Sequence, residues 1–319
     1  MVRSREHFHL EEIADGVHVA LATADGYGLC NAAIVDLDPV TLVFDAMLTP
    51  EAGEALAHAA RRLTGRPVDL LVNSHYHGDH VRGNAAVGAR HIVSTHRVRE
   101  LVLERAAAHL LSDRKAAPAE LERIAREEGT STPFDRTVQE AWMRGILATP
   151  ADLRVPPPDL TFAEELVVRG AHRTARILSF GGGHSPSDAL VYLPEERHVF
   201  LGDLLSVGFH PSLGDGDLHA LDRILGRIEE LPVDRALPGH GPVGDLASIR
   251  RMRDYVGSVT RQALAARKEG LRRDELDRFA PEPPFRDWAL LSMYRENLAF
   301  AYASLPEAPE AGPGRASPS

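Results

Sequence analysis

Short apolar runs dominate the start of the chain. IADGVHVALAT, CNAAIVDLD and VTLVFDAML, between residues 13 and 48, are broken by Gly26, Gly28 and Pro39, which predicts short strands joined by turns. TPEAGEALAHAARRLTG follows, with Thr49 as N-cap, Pro50 at the first helical position and Gly65 as terminator, and predicts a helix. PVDLLVNSH reads as a buried strand, and residues 89–94 as another. Residues 95–148 are rich in Ala, Glu and Arg at helical spacing, and PPP at 156–158 closes them. Strand signals return in LTFAEELVVRG, TARILSF, ALVYLP and HVFLGDLL, followed by a helix at HALDRILGRIEEL and the short run DRALPGHGP. From Leu246 the pattern is helical: Leu246, Ile249, Met252, Val256 and Val259 form one apolar stripe, and Trp288, Leu291, Arg295, Leu298 and Tyr302 a second, interrupted one. Packing on the core is the plain reading of both stripes; a lid over a site or a homodimer contact are the sharper ones. The tail PEAPEAGPGRASPS has the composition of a disordered segment.

Composition narrows the class. With 319 residues, 44% of them hydrophobic and 26% charged, the chain suits a globular protein with a sizeable core. The net charge of −10 includes no dominant basic patch, so a nucleic-acid partner is not expected. The Arg-rich stretches near 97–126 and 250–273 interleave acids and read as solvated faces. Cys30 is the single cysteine and reads as a small buried apolar residue; no intramolecular disulfide can form, which fits a reducing compartment. The polar N-terminus and the lack of any long apolar run argue for a cytoplasmic protein without a membrane partner.

Chemistry enters at NSHYHGDH, residues 73–80. In extended chain, His75 and His77 point to the same side and can share an ion at the strand's end. Gly78 lets the chain turn, so Asp79 and His80 face a second position. Imidazole and carboxylate together suit Zn²⁺ and similar divalent ions, with Fe or Mn as further candidates. Three later positions each follow a strand-like run: His184 in GGGHSPSD, Asp203 in LGDLL and His240 in PGHGP. Any one alone would read as structural. Together with the cluster they make five His and two Asp, enough for two metal positions. The GGG at 181–183 reads as room for the loop, since no P-loop Lys follows.

This set resembles the metallo-β-lactamase-fold metallohydrolase superfamily over roughly residues 10–245. The resemblance rests on HYHGDH, His184, Asp203 and His240, and on the opening ADGVHVAL and NAAIVDLD–VFDAMLTPEA stretches. It implies a four-layer αββα sandwich of mixed α/β class. The implied organisation is a family domain at 1–245 carrying a helical insertion near 97–158, a C-terminal helical extension at 246–306 and a tail at 307–319. His75, His77 and His184 would then hold one ion, and Asp79, His80 and His240 the other, with Asp203 bridging. The 104 positions between His80 and His184 are the departure from the family pattern and are what suggests the insertion. Members that use a Cys metal ligand carry it where Asp203 stands, so the chain looks less like an antibiotic-degrading enzyme. GDLLSVGFHPSLGDGD and PGHGP are more similar to glyoxalase-II-like and general hydrolase members.

The expected reaction is hydrolysis of an ester, thioester, lactone or amide of a small-molecule substrate by hydroxide that two divalent ions make available at neutral pH. Asp79 is the expected catalytic carboxylate, orienting the hydroxide and moving its proton. His210, in SVGFHPSL, is a candidate substrate contact. The alternative on the same scaffold is a mononuclear iron persulfide dioxygenase, with His75, His184 and Asp203 as the triad.

Overall fold

The computed structural model describes residues 6–126 and 132–305. The tail beyond residue 305 lies outside the described residues.

Two sheets stack face to face. In the first, β1 (Phe8–Ala14), β2 (Val17–Ala22), β3 (Ala32–Asp36), β4 (Thr41–Phe44), β5 (Leu70–Val72), β6 (His91–Thr95) and β7 (Leu160–Phe162) lie in that order. Pairing is antiparallel from β1 to β4 and parallel from β4 to β7. The second sheet runs β12 (Arg235–Leu237), β11 (His198–Phe200), β10 (Asp188–Leu193), β9 (Thr174–Gly181), β8 (Glu165–Arg169). Its pairs are antiparallel apart from β11 with β12. Alternation along each strand decides which residues meet between the sheets. Val19, Val35, Leu42, Phe44 and Val72 face Ile177, Val191, Leu193, Phe200 and Leu237 there.

Helices cover both outer faces. On the first sheet, α1 (Pro50–Thr64) buries Ala52, Leu56, Ala59 and Ala60 against Ile34, Val43 and Leu71. The Thr49 side chain accepts the Ala52 N–H, and Gly65 ends the helix left-handed at φ 72°, as the capping residues predict. On the second sheet, α6 (Leu218–Glu229) and α7 (Leu246–Lys268) share one apolar cluster with Leu178, Leu190 and Val199. The result is an αββα sandwich. The α7 stripe read from the sequence is the face it buries.

Five α-helices remain among the described residues. The short α2 (Gly78–Val81) and α3 (Asn84–Val87) follow β5. The long α4 (His96–Arg126) and α5 (Pro133–Ala148) fill the interval between β6 and β7. Arg114 of α4 donates to the Ile146, Leu147 and Thr149 carbonyls and thereby closes the C-terminus of α5. The last helix, α8 (Leu291–Ser304), differs from its expected stripe. It buries Tyr294, Asn297, Leu298 and Ala301, while Leu291 and Arg295 are exposed and Trp288 precedes the helix. The reason is polar: Asn297 donates to Pro211 O and Tyr255 Oη and accepts from Leu213 N–H, so a buried amide sets the rotation. β1 was not among the expected strands; its sequence FHLEEIA is half exposed throughout and carries no clean alternation.

Candidate metal centre

Strand direction delivers the seven side chains to one edge. Because β9 and β11 are both antiparallel to β10, and β11 is parallel to β12, the C-terminal ends of β9, β11 and β12 coincide. His184 follows β9, Asp203 sits in a 3₁₀ turn (Gly202–Leu204) after β11, and His240 follows β12. On the first sheet, Asp45 follows β4 and the 73–80 cluster follows β5. Asn31 joins the two edges: its side chain donates to Pro238 O and Gly241 O and accepts from Ala22 N–H. Glycine is needed beside Asp203, since a Cβ on Gly239 would land on Asp203 Oδ1.

The donor atoms fall into two groups, His75/His77/His184/Asp203 and Asp79/His80/His240, each within 4.8 Å. His184 Nε2 is 3.1 Å from His77 Nδ1 and 3.4 Å from Asp203 Oδ2. The other oxygen, Asp203 Oδ1, is 3.2 Å from His80 Nε2 and 3.4 Å from His240 Nε2. Asp79 Oδ2 lies 3.5 Å from His80 Nε2 and 3.4 Å from His240 Nε2. Two donors about 2.0–2.1 Å from a tetrahedral ion stand roughly 3.3–3.4 Å apart, so these gaps match shared coordination. Buried His75 Nε2, His80 Nε2 and Asp203 Oδ1 have no hydrogen-bond partner. Orphaned polar atoms within the two donor groups are what bound ions would satisfy.

Electrostatics agree with that fit. Burial drives His75 well below its ordinary range, helped by the neighbouring histidines, and drives His184 down to about 4. Burial also opposes charge on His80 and His240, but Asp203 and Asp79 outweigh it and raise both, His240 to about 10. The same histidines overcome burial to hold Asp79 and Asp203 well below the usual carboxylate range. Protons thus stand on imidazoles where a cation would otherwise place its charge.

A further layer of side chains holds the ligands. Asp45, fully buried, accepts from Ser74 N–H at 2.7 Å, from Ser74 Oγ at 2.8 Å and from His80 Nδ1 at 2.8 Å. With its proton on Asp45, Ser74 Oγ accepts from His75 Nδ1 at 2.9 Å. One carboxylate therefore orients two ligands. Asp215 holds His77 Nε2 at 3.2 Å and accepts from Tyr76 Oη at 2.6 Å. His240 Nδ1 donates to Leu29 O at 3.2 Å. Asp188 accepts the backbone N–H groups of Gly183, His184 and Ser185, which shapes the His184 loop. Such partners fix ring orientation and tautomer. None of these roles is marked in the sequence, although Asp188 stands inside GGGHSPSD and Asp45 inside the predicted strand run VTLVFDAML, directly after β4.

A cavity of about 500 Å³ opens over the centre, with Asp79, Asp203, His77 and His240 in its floor. His210 lines it too. Its Nδ1 faces Tyr255 Oη at 3.1 Å, and its ring packs on Tyr255, Trp288 and Tyr294. Tyr255 Oη accepts from Asn297 and is free to donate to His210 Nδ1, an arrangement that places the ring hydrogen on the buried Nε2, which has no partner.

Comparison with known proteins follows the same lines. A family model described as the metallo-beta-lactamase superfamily matches residues 25–240. The chain is 22% identical over 264 residues to a metallo-beta-lactamase type 2 of Bacteroides fragilis, covering 80% of this chain and 88% of that protein. In structure it resembles a metallo-beta-lactamase from Pontibacter korlensis at TM-score 0.58 and 19% identity, over 78% of this chain and 99% of that one. It also resembles the stereoselective inverting sec-alkylsulfatase Pisa1 from Pseudomonas sp. at TM-score 0.67 and 18% identity, over 92% of this chain but 50% of that one. The chain belongs to the metallo-beta-lactamase superfamily. Among the described residues, no helix is long and apolar enough to cross a membrane.

Proposed function

We propose that this superfamily member is a dinuclear metal-dependent hydrolase that cleaves an ester, thioester, lactone or amide of a small molecule. The observation that carries this reading is Asp203. Its Oδ2 faces the first donor group and its Oδ1 the second, so one carboxylate is shared by two positions. Two divalent ions bound there, zinc fitting the imidazole-rich set best, would bring the pKa of water to about 7 and polarise the scissile carbonyl.

The chain's own residues do the rest. His75, His80 and His184 are fully buried and can only hold position. Asp79 lines the cavity with 17% of its side chain exposed, and is the carboxylate placed to orient the attacking water and accept its proton. His210 lines the cavity with its ring buried against Tyr255, Trp288 and Tyr294, and could serve a substrate oxygen only if its covered Nε2 became accessible.

Elemental analysis of purified protein, followed by a panel of ester, thioester, lactone and amide substrates, tests the reading. Close to two divalent ions per chain with hydrolysis supports it. One iron with oxygen consumption gives the persulfide dioxygenase alternative. Full metal retention in a His75→Ala/His77→Ala double variant overturns the ligand assignment.

A further inference from the structure

We infer that the substrate carries an uncharged apolar chain or ring, which lies against a wall formed by α5 and the segment before and into α8 while the scissile bond faces Asp79 and Asp203. The inference rests on the hydrolase reading above and adds the substrate class to it.

The wall is made by position. Phe134, Val138 and Trp142 recur every four residues along α5, so they share one face of the helix, and all three line the cavity. Phe209, Leu290 and Met293 line it as well. Phe134 is 45% exposed, a large aromatic left at the cavity with Phe209 at 5.7 Å between ring centroids. The wall is tied in place: Asp135 of α5 accepts the Leu290 N–H at 2.9 Å. Apolar side chains facing a few convergent polar groups are the ordinary construction of a small-molecule site.

Charge excludes the alternative substrate. Arg82 is the one Lys or Arg among the described residues lining the cavity, and it is ion-paired with Asp113. A tail carboxylate would enter with no free cation to meet it, beside Asp113 and an apolar face, and would lose its hydration without compensation. A neutral chain loses nothing and gains the contact with the wall.

Linear alkanehydroxamates test this on the zinc-loaded full chain, since they bind a metal centre without being hydrolysed. Acetohydroxamate reads the centre alone; longer chains read the wall. Affinity measured by calorimetry should rise by up to about fourfold per methylene, and at least about tenfold from two to six carbons. A six-carbon hydroxamate ending in a carboxylate should lose that gain. Phe134→Ser, at an exposed position that the fold does not need, and Trp142→Ala should flatten the slope and leave acetohydroxamate binding unchanged. If acetohydroxamate binds but the slope is flat, or the carboxylate-ended chain binds as well as the plain one, the apolar assignment falls and the hydrolase reading stands. If acetohydroxamate does not bind at all, the hydrolase reading fails and takes this inference with it.

Discussion

The floor and the wall of the cavity are built on opposite principles. In the floor, four of the five histidines are set by a directional bond from the ring to a named partner: His80 by Asp45, His75 by Ser74, His77 by Asp215, His240 by Leu29 O. In the wall, Phe134, Val138 and Trp142 are placed by helix geometry and apolar contact, and other apolar side chains of similar size would serve. Directional networks fail when one member is removed, because the remaining buried groups are left unpaired. Apolar walls fail by degrees. Changes in the floor should therefore act on metal and turnover together, and changes in the wall on affinity alone.

The largest effect should come from the shared carboxylate. Asp203→Ala removes a donor from both groups at once, and should bring metal content below one ion per chain and lower turnover by on the order of 10³. Elemental analysis alongside kcat checks it. Trp142→Ala should keep full metal content under the same conditions; metal loss there would erase the distinction between floor and wall.

Within the floor, the two supporting carboxylates should differ. Asp45 is wholly buried and orients two histidines, whereas Asp215 has 34% of its side chain exposed and orients one. Asp45→Asn should weaken metal binding by about 10–100-fold in chelator competition, and Asp215→Asn by a few-fold, since water can replace the exposed contact. Equal losses would mean that burial does not govern the support.

This contrast explains what the sequence makes legible. NSHYHGDH is readable because its ligands are one to five residues apart and because strand alternation and the turn at Gly78 place them without knowledge of the fold. The succession of strands and helices follows from apolar runs punctuated by Gly and Pro, the αββα layering is what the family resemblance implies, and the α1 caps stand in the sequence at the positions where they act. Asp45 and Asp215 are not readable in the same way. The first lies 35 residues from His80 and the second 138 from His77, and nothing local marks an aspartate whose partner is brought up by the sheets. The α8 face differs from its apolar stripe for a related reason: Asn297 is buried by bonds to distant groups, which hydrophobic periodicity cannot register. The wall carries no motif at all, because any apolar residue at the right helical spacing can contribute.

His210 sits where floor meets wall, and its smaller effect is on stability. The ring is 1% exposed, and burial pushes it down to about 4 from an ordinary value near 6.5. Folding thus disfavours the charged ring. Between those two values the unfolded chain binds the proton and the folded chain does not, so stability rises with pH across that window. His210 imposes no such penalty above pH about 6.5; stability is lost progressively as pH falls towards 4, by up to about 3 kcal/mol. Replacing the ring by a neutral group removes this dependence. Metal-free wild type and His210→Gln, compared by denaturant titration from pH 7.5 to 4.5, should converge as pH falls, with the variant losing less stability over the interval. The metal-site histidines titrate in both proteins, so the difference between the two curves isolates position 210. Curves that stay parallel would mean that the folded chain lets the ring take up a proton as readily as the unfolded chain does. In that case the Tyr255 hydroxyl would gain nothing from donating to Nδ1, and the neutral tautomer assigned to the ring would lose its basis.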